Sequence, residues 1–160
     1  MKILVLIGKS NSGKTSSIKH LILKLLAQDG IEVVYTSRFF SSDPEQLSKN
    51  IKDNWKTDRN HIRDMTVLLK HQGEKIGITT YGDSLKEILS ALKTIEKRFG
   101  GCDMFVCGRH KNNKFENEFA EYKVNNFYYV EKVRASSMDD FDNANKTTGN
   151  ELFEKILGIL

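Results

Sequence analysis

The sequence predicts one α/β domain, a three-layer α/β/α sandwich built on a mostly parallel sheet with one antiparallel edge strand. Three observations predict it. An apolar run, Ile3 to Ile7, passes through a glycine-rich loop into an amphipathic helix, which is how a parallel-sheet unit opens. Short β-rich runs then alternate with helical stripes, the pattern of layered α/β folds. TVLLK and KIGITT flank His71-Gln72-Gly73-Glu74, a short glycine-containing connection that reads as a hairpin and makes one strand antiparallel.

Composition sets the bounds. A chain of 160 residues is long enough for one domain burying roughly two-thirds of its unfolded surface, and too short for two ordinary ones. Apolar residues at 39% and charged residues at 29% give a globular balance and exclude a disordered chain. The N-terminal apolar run is too short for a secretory leader and runs straight into the loop, so a cytoplasmic protein with no membrane segment is expected. The formal charge of +4 includes Lys2, Lys9, Lys14, Lys19, Lys24 and His20 before the first acidic residue, Asp29. Without consecutive basic residues interleaved with aromatics, no dedicated nucleic-acid surface is indicated.

Residues 2–8 form the first strand, apolar on both faces as a central parallel strand requires. A helix over 14–28 carries the stripe Ile18, Leu21, Ile22, Leu25 and Leu26 and ends at Gly30. Residues 31–36 read as a second strand, paired parallel with the first through a βαβ unit. Residues 37–64 form a polar arm or lid-like insertion. Its helix has Asp43 as N-cap, Pro44 at the first position and Gln46 closing a capping box, with only Leu47, Ile51 and Trp55 to bury.

In the hairpin, residues 66–70 are expected at a sheet edge and 75–80 beside the first strand. Ser84 and Glu87 then box the start of a helix with the stripe Leu85, Ile88, Leu89, Leu92 and Ile95, which stops at Gly100-Gly101. Residues 102–107 are a buried strand, with Cys102 and Cys107 on opposite faces as reduced thiols. A helix over 115–124, a strand over 126–133, a polar loop over 134–145 and a final helix ending at Leu160 complete the chain.

The stretch Gly8-Lys9-Ser10-Asn11-Ser12-Gly13-Lys14-Thr15, followed by Ser16, matches G-x-x-x-x-G-K-[ST] between a strand and a helix. Gly8 and Gly13 let the main chain curl so that successive N–H groups surround a phosphate, and the helix start adds its positive dipole end. On these residues the chain resembles the P-loop NTPase superfamily. The resemblance implies ATP, or GTP, as ligand with Mg2+. Lys14 would sit on the β- and γ-phosphates and the Thr15 hydroxyl on the cation.

Asp83 ends an apolar strand and resembles a Walker B position, so it is expected to hold Mg2+ together with Thr15. Asp103 begins its strand, a strand length from the phosphates, and is set aside. Arg109, with His110, follows a strand and is the candidate catalytic arginine for a terminal phosphate. Arg38 shares that topology, while Arg59 and Arg63 lie in the arm. Arg134 to Ser137 occupy the loop where P-loop relatives often contact the base. His20, His61, His71 and His110 show no metal-ligand spacing.

The function expected from these residues is Mg2+-dependent NTPase or kinase-like phosphoryl transfer, with a small-molecule acceptor or a protein partner. The alternatives are a slowly hydrolysing regulatory switch and a DNA-linked ATPase subunit. The first 36 residues are also similar to the small GTP-binding accessory proteins of molybdenum-cofactor assembly, although the base-reading motif [N/T]-K-x-D is absent.

Overall fold

The computed structural model describes residues 1–9, 12–38, 40–57 and 64–160, with the backbone alone described over 54–57. It is an α/β fold with a six-stranded mixed sheet and four helices. The elements run β1 (Lys2–Gly8), α1 (Lys14–Leu26), β2 (Glu32–Thr36), α2 (Pro44–Thr57), β3 (Thr66–His71), β4 (Glu74–Thr79), α3 (Leu85–Phe99), β5 (Met104–His110), β6 (Asn126–Glu131) and α4 (Phe141–Ile159).

The sheet order is β2-β3-β4-β5-β1-β6. β1 is parallel to β5 and β6, with Leu4 opposite both Val106 and Tyr128. β4 is parallel to β5, and β3 is antiparallel to both β2 and β4. The carboxyl ends of β1, β4 and β5 therefore lie at the same edge of the sheet as the amino end of β3. Loops before β3 and after its neighbours share that edge, where ligands bind in open α/β sheets.

Several expectations are corrected. β2 does not pair with β1; it runs in the same direction at the far edge, bonded to β3, because β3, β4 and β5 fill the space between. β3 is not an edge strand, so the antiparallel strand lies second from the edge. Thr66, Val67, Leu68 and Leu69 are all buried, which two covered faces and two neighbours require. β5, not β4, flanks β1 on that side. Its Met104 to Gly108 run is wholly buried and takes the middle of the sheet.

β5 starts two residues later than expected and extends through Arg109 and His110, since Asp103 is occupied before it. The Asp103 carboxylate accepts the Lys75 N–H at 2.7 Å and its carbonyl accepts the Lys2 N–H at 2.9 Å. Cys102 then precedes the strand and packs in the same apolar layer as Cys107, not across the sheet from it. Both thiols are free, and burial pushes Cys102 up to about 12.

The helix expected over 115–124 is reduced to one 3-10 turn, Glu116–Phe119. Phe115 and Phe119 meet edge to face at 5.1 Å and bury without a longer helix. α4 opens five residues earlier than expected, and β6 ends two residues sooner.

The local signals elsewhere agree with the structure. Asp43 accepts the Gln46 N–H at 2.9 Å, and Ser84 accepts the Glu87 N–H. The β3–β4 turn places Gln72 at φ 51° and Gly73 at φ 87°, the paired left-handed residues of a two-residue hairpin. Two apolar layers sandwich the sheet. α1, α2 and α4 cover one face with residues such as Leu21, Leu47 and Leu152. α3 and the 3-10 turn cover the other with Leu92, Ile95 and Phe119. Among the described residues no helix is long and apolar enough to cross a membrane.

Candidate functional site

The loop between β1 and α1 is shaped by two glycines. A Cβ on Gly8 would stand 2.7 Å from Ser12 Oγ and 2.9 Å from Lys132 Cβ, so the loop closes over β1 only because that atom is missing. Gly13 caps α1 at φ 92°, a left-handed conformation, and the Asn145 side chain of α4 occupies the space a Cβ would need. The Gly13 carbonyl then accepts both the N–H and the hydroxyl of Ser17, each at 2.9 Å. The first turn of α1 carries no acidic residue, so its positive end is not neutralised from within. Ser10 and Asn11 lie outside the described residues.

Lys14 is only 4% exposed. Its Nζ donates to the carbonyls of Gly8 at 3.1 Å and Lys9 at 2.7 Å and pairs with Asp83 Oδ1 at 3.0 Å. Its stem runs through a slot made by two further glycines. A Cβ on Gly82 would lie 3.0 Å from Lys14 Cε, and one on Gly108 would lie 3.5 Å from Lys14 Cδ. Gly82, next to Asp83, is thus where the lysine passes. Phosphate oxygens carry full negative charge where the two carbonyls offer only dipoles, so an ammonium that exchanges carbonyls for phosphate gains attraction at the same distance, with Asp83 still beside it.

Thr15 faces a different carboxylate. Its hydroxyl lies 3.3 Å from Asp64 Oδ1 and 3.2 Å from the Thr80 carbonyl, while Thr80 Oγ1 donates to the same Asp64 oxygen at 2.9 Å. The Arg38 guanidinium donates twice to the Asp64 carbonyl, at 3.1 and 2.9 Å. The structure therefore brings Asp83 to Lys14 and Asp64 to Thr15. Sequence reasoning missed Asp64 because it precedes an antiparallel strand, whereas an acidic metal ligand is sought after a parallel one. Lys19, one helical turn beyond Thr15, is 4% exposed; desolvation pushes it down to about 8, opposed by the Asp64 charge and reinforced by Arg38.

A hydroxyl, a carbonyl and one carboxylate are hard oxygen donors that suit Mg2+, which takes few protein ligands when phosphates supply the rest. Thr15, Asp64 and Thr80 fit that requirement. Among the described residues no group of three or more His, Cys, Asp or Glu could form an all-protein metal cage.

Two clefts flank the loop. One, of about 380 Å³, lies on the β6 side and is lined by Gly8, Lys9 and Ser12, by Lys132, Arg134, Ala135 and Ser137, and by Met138 and Phe141. The other, of about 330 Å³, lies beyond Gly82 and Asp83 and includes Arg109, His110 and Phe115.

Arg109 is engaged within the wall of the second cleft. It donates to the Asn113 carbonyl at 2.9 Å, lies 3.6 Å from Glu116, and sits 5.9 Å from the ring centres of both Phe115 and Tyr129. Its hydrogen bonds among the described residues all go to the carbonyls of His110, Lys111 and Asn113, at and just past the end of β5. His110 Nδ1 accepts the Asn112 N–H at 3.2 Å. Arg59, His61 and Arg63 lie outside the described residues. Compared with known protein families, with curated proteins and with solved structures, this chain matches none.

Proposed function

We propose that the chain is a P-loop NTPase-type α/β/α sandwich that binds a nucleoside triphosphate with Mg2+ and moves its terminal phosphoryl group, by hydrolysis or to an acceptor. The carrying observation is the buried Lys14 ammonium on two loop carbonyls, beside an α1 start free of acidic residues. The loop from Gly8 to Ser16 wraps the phosphates with its N–H groups, and Lys14 holds the β- and γ-phosphates. Thr15 and Asp64 hold Mg2+, with Asp83 next to the terminal phosphate through Lys14. When bound, Mg2+ neutralises charge on the polyphosphate. The larger loop-side cleft, with Arg134 and the backbone of Ala135, receives the base. ATP is the expected nucleotide, with GTP the alternative.

Isothermal titration with ATP and with GTP, each with Mg2+, tests this. Wild-type protein binds one of them, and Lys14→Ala weakens binding by about tenfold or more, since each charge-assisted bond contributes about 1.5–3 kcal/mol. Equal affinity in the folded variant, or no binding of either nucleotide at millimolar concentration, overturns it.

A regulatory switch is the second reading, favoured by one chain of contacts. Thr15, Asp64 and Arg38 link the loop to the ends of β2 and of the 37–64 arm. A nucleotide that displaces Thr15 from Asp64 would act on both. Turnover slower than nucleotide exchange, with partner capture in one nucleotide state alone, distinguishes it.

A further inference from the structure

We propose that the 330 Å³ cleft beyond Asp83 is the acceptor site of a phosphoryl transfer, and that its acceptor is a polyhydroxylated ring of monosaccharide size. This rests on the nucleotide reading above and deepens it.

The cleft and the loop share one wall. Gly82 and Asp83 line the cleft, and the same two residues touch Lys14, whose ammonium is 3.0 Å from Asp83 Oδ1. A hydroxyl in the cleft against Asp83 thus lies next to the lysine that holds the terminal phosphate. Gly82 leaves the partition thin, since a Cβ there would stand 3.0 Å from Lys14 Cε.

The far wall is preorganised. Arg109 fastens the Asn113 carbonyl and Glu116, Asn113 N donates to the His110 carbonyl at 3.1 Å, and Glu116 accepts the Phe115 N–H at 2.9 Å. A wall fixed by the protein's own bonds needs no ordering when a ligand enters.

The lining chemistry selects the ligand class. Leu85, Ile88 and Phe115 form the apolar part of the lining, its floor, while Asp83, His110, Asn112 and Asn113 add groups that donate, accept, or both; of the two cations, Arg109 is tied to Asn113 and Glu116, and Lys114 completes the lining. Vicinal hydroxyls are donors and acceptors at once, which suits carboxamides and a carboxylate, and the C–H face of a sugar ring suits the floor. The volume lies at the low end of small-molecule sites, roughly 300–1,000 Å³.

In the reaction the sugar hydroxyl oxygen attacks the γ-phosphorus. The new O–P bond forms as the bond from that phosphorus to the β-phosphate oxygen breaks. The electron pair leaves on the nucleoside diphosphate, and the hydroxyl proton passes to the Asp83 carboxylate. The products are a sugar phosphomonoester and the diphosphate.

The test uses the full chain with ATP, Mg2+ and, separately, D-glucose, D-ribose, myo-inositol and adenosine, read by 31P NMR for a new phosphomonoester. At least one polyol is expected to be phosphorylated. Asn113→Ala should raise its KM about tenfold. Asp83→Asn should lower kcat by about 100-fold with KM within about threefold. ATP binding without any polyol phosphomonoester refutes the acceptor site and leaves the nucleotide reading standing. Phosphorylation of adenosine alone refutes the ligand class. Absence of both ATP and GTP binding refutes the nucleotide reading itself.

Discussion

The Thr15 hydroxyl lies 3.3 Å from Asp64 Oδ1 across 49 residues of sequence, so the first turn of α1 and the start of β3 share one polar contact. The same carboxylate oxygen accepts Thr80 Oγ1 at 2.9 Å, and Met65 N donates to Thr80 Oγ1 at 2.8 Å. The carboxylate is held in place by its neighbours before any ligand arrives.

Asp64→Asn keeps the shape and removes the charge. It is expected to reduce the Mg2+-dependent part of triphosphate affinity by about 10–100-fold, the usual cost of disturbing a metal's supporting oxygens. Titrations with Mg2+ and with EDTA measure it. An unaltered Mg2+ dependence would return the metal role to Asp83.

Lys19 makes stability depend on alkaline pH. Its folded pKa of about 8 lies below the 10.5 of the free side chain. Between those values the unfolded chain holds a proton that the folded chain has released, so stability rises with pH across that window. Below about 8 both states are protonated and the buried charge costs folding its full penalty, on the order of 3 kcal/mol from the shift itself. Lys19→Met is therefore expected to stabilise the protein at pH 7 and to flatten that rise. Urea unfolding at pH 7, 8.5 and 10 for both proteins checks it; parallel curves would remove Lys19 as the cause.

Two glycines on the α1–α4 side carry different penalties. Gly13→Ala meets both a left-handed backbone at φ 92° and the Asn145 side chain. Gly149→Ala keeps helical angles but places a methyl 2.7 Å from His20 Cβ and 3.0 Å from the Ser17 carbonyl. Each should destabilise by about 1–3 kcal/mol. Adding Asn145→Ala should recover only part of the Gly13 loss, because the backbone strain remains. Full recovery in that double variant would show that the clash alone matters.

Arg109→Ala removes the guanidinium that ties residues 113 and 116 together beneath the Tyr129 and Phe115 rings. The expected loss is about 1–3 kcal/mol of stability, since Glu116 keeps its place without its cation. Glu116 should also titrate higher than in the wild type. Its carboxyl is held below the usual range even though burial acts to raise it, by hydrogen bonds from Tyr129 and the backbone and by the Arg109 charge. Calorimetric melting and carboxyl NMR titration follow both. A drop in triphosphate affinity as large as that of Lys14→Ala would instead place Arg109 on the phosphates.

Patterns confined to a few consecutive residues were legible in the chain. The apolar run Ile3–Ile7, the stripe Ile18–Leu26, the Asp43 and Ser84 caps and the short glycine-containing hairpin connection at 71–74 each depend on neighbours within one or two turns. The turn between β1 and α1 was legible for the same reason, since it depends on Gly8, where a Cβ would clash, and on Gly13, whose backbone is left-handed. Sheet order was not legible, because β2 could satisfy its hydrogen bonds beside β1 or beside β3. The choice fell to which strands could fill two buried faces in the interior, and β3 and β5 can.

The amino-acid sequence by itself determined an α/β chain with a glycine-shaped turn between its first strand and first helix, since periodicity and glycine placement act locally. Only the tertiary structure decided which carboxylate serves which partner. Asp83 reaches Lys14 and Asp64 reaches Thr15 because an antiparallel β3 brings its amino end to the edge where the parallel strands finish. Strand direction is a property of the assembled sheet, and no residue near Asp64 encodes it alone.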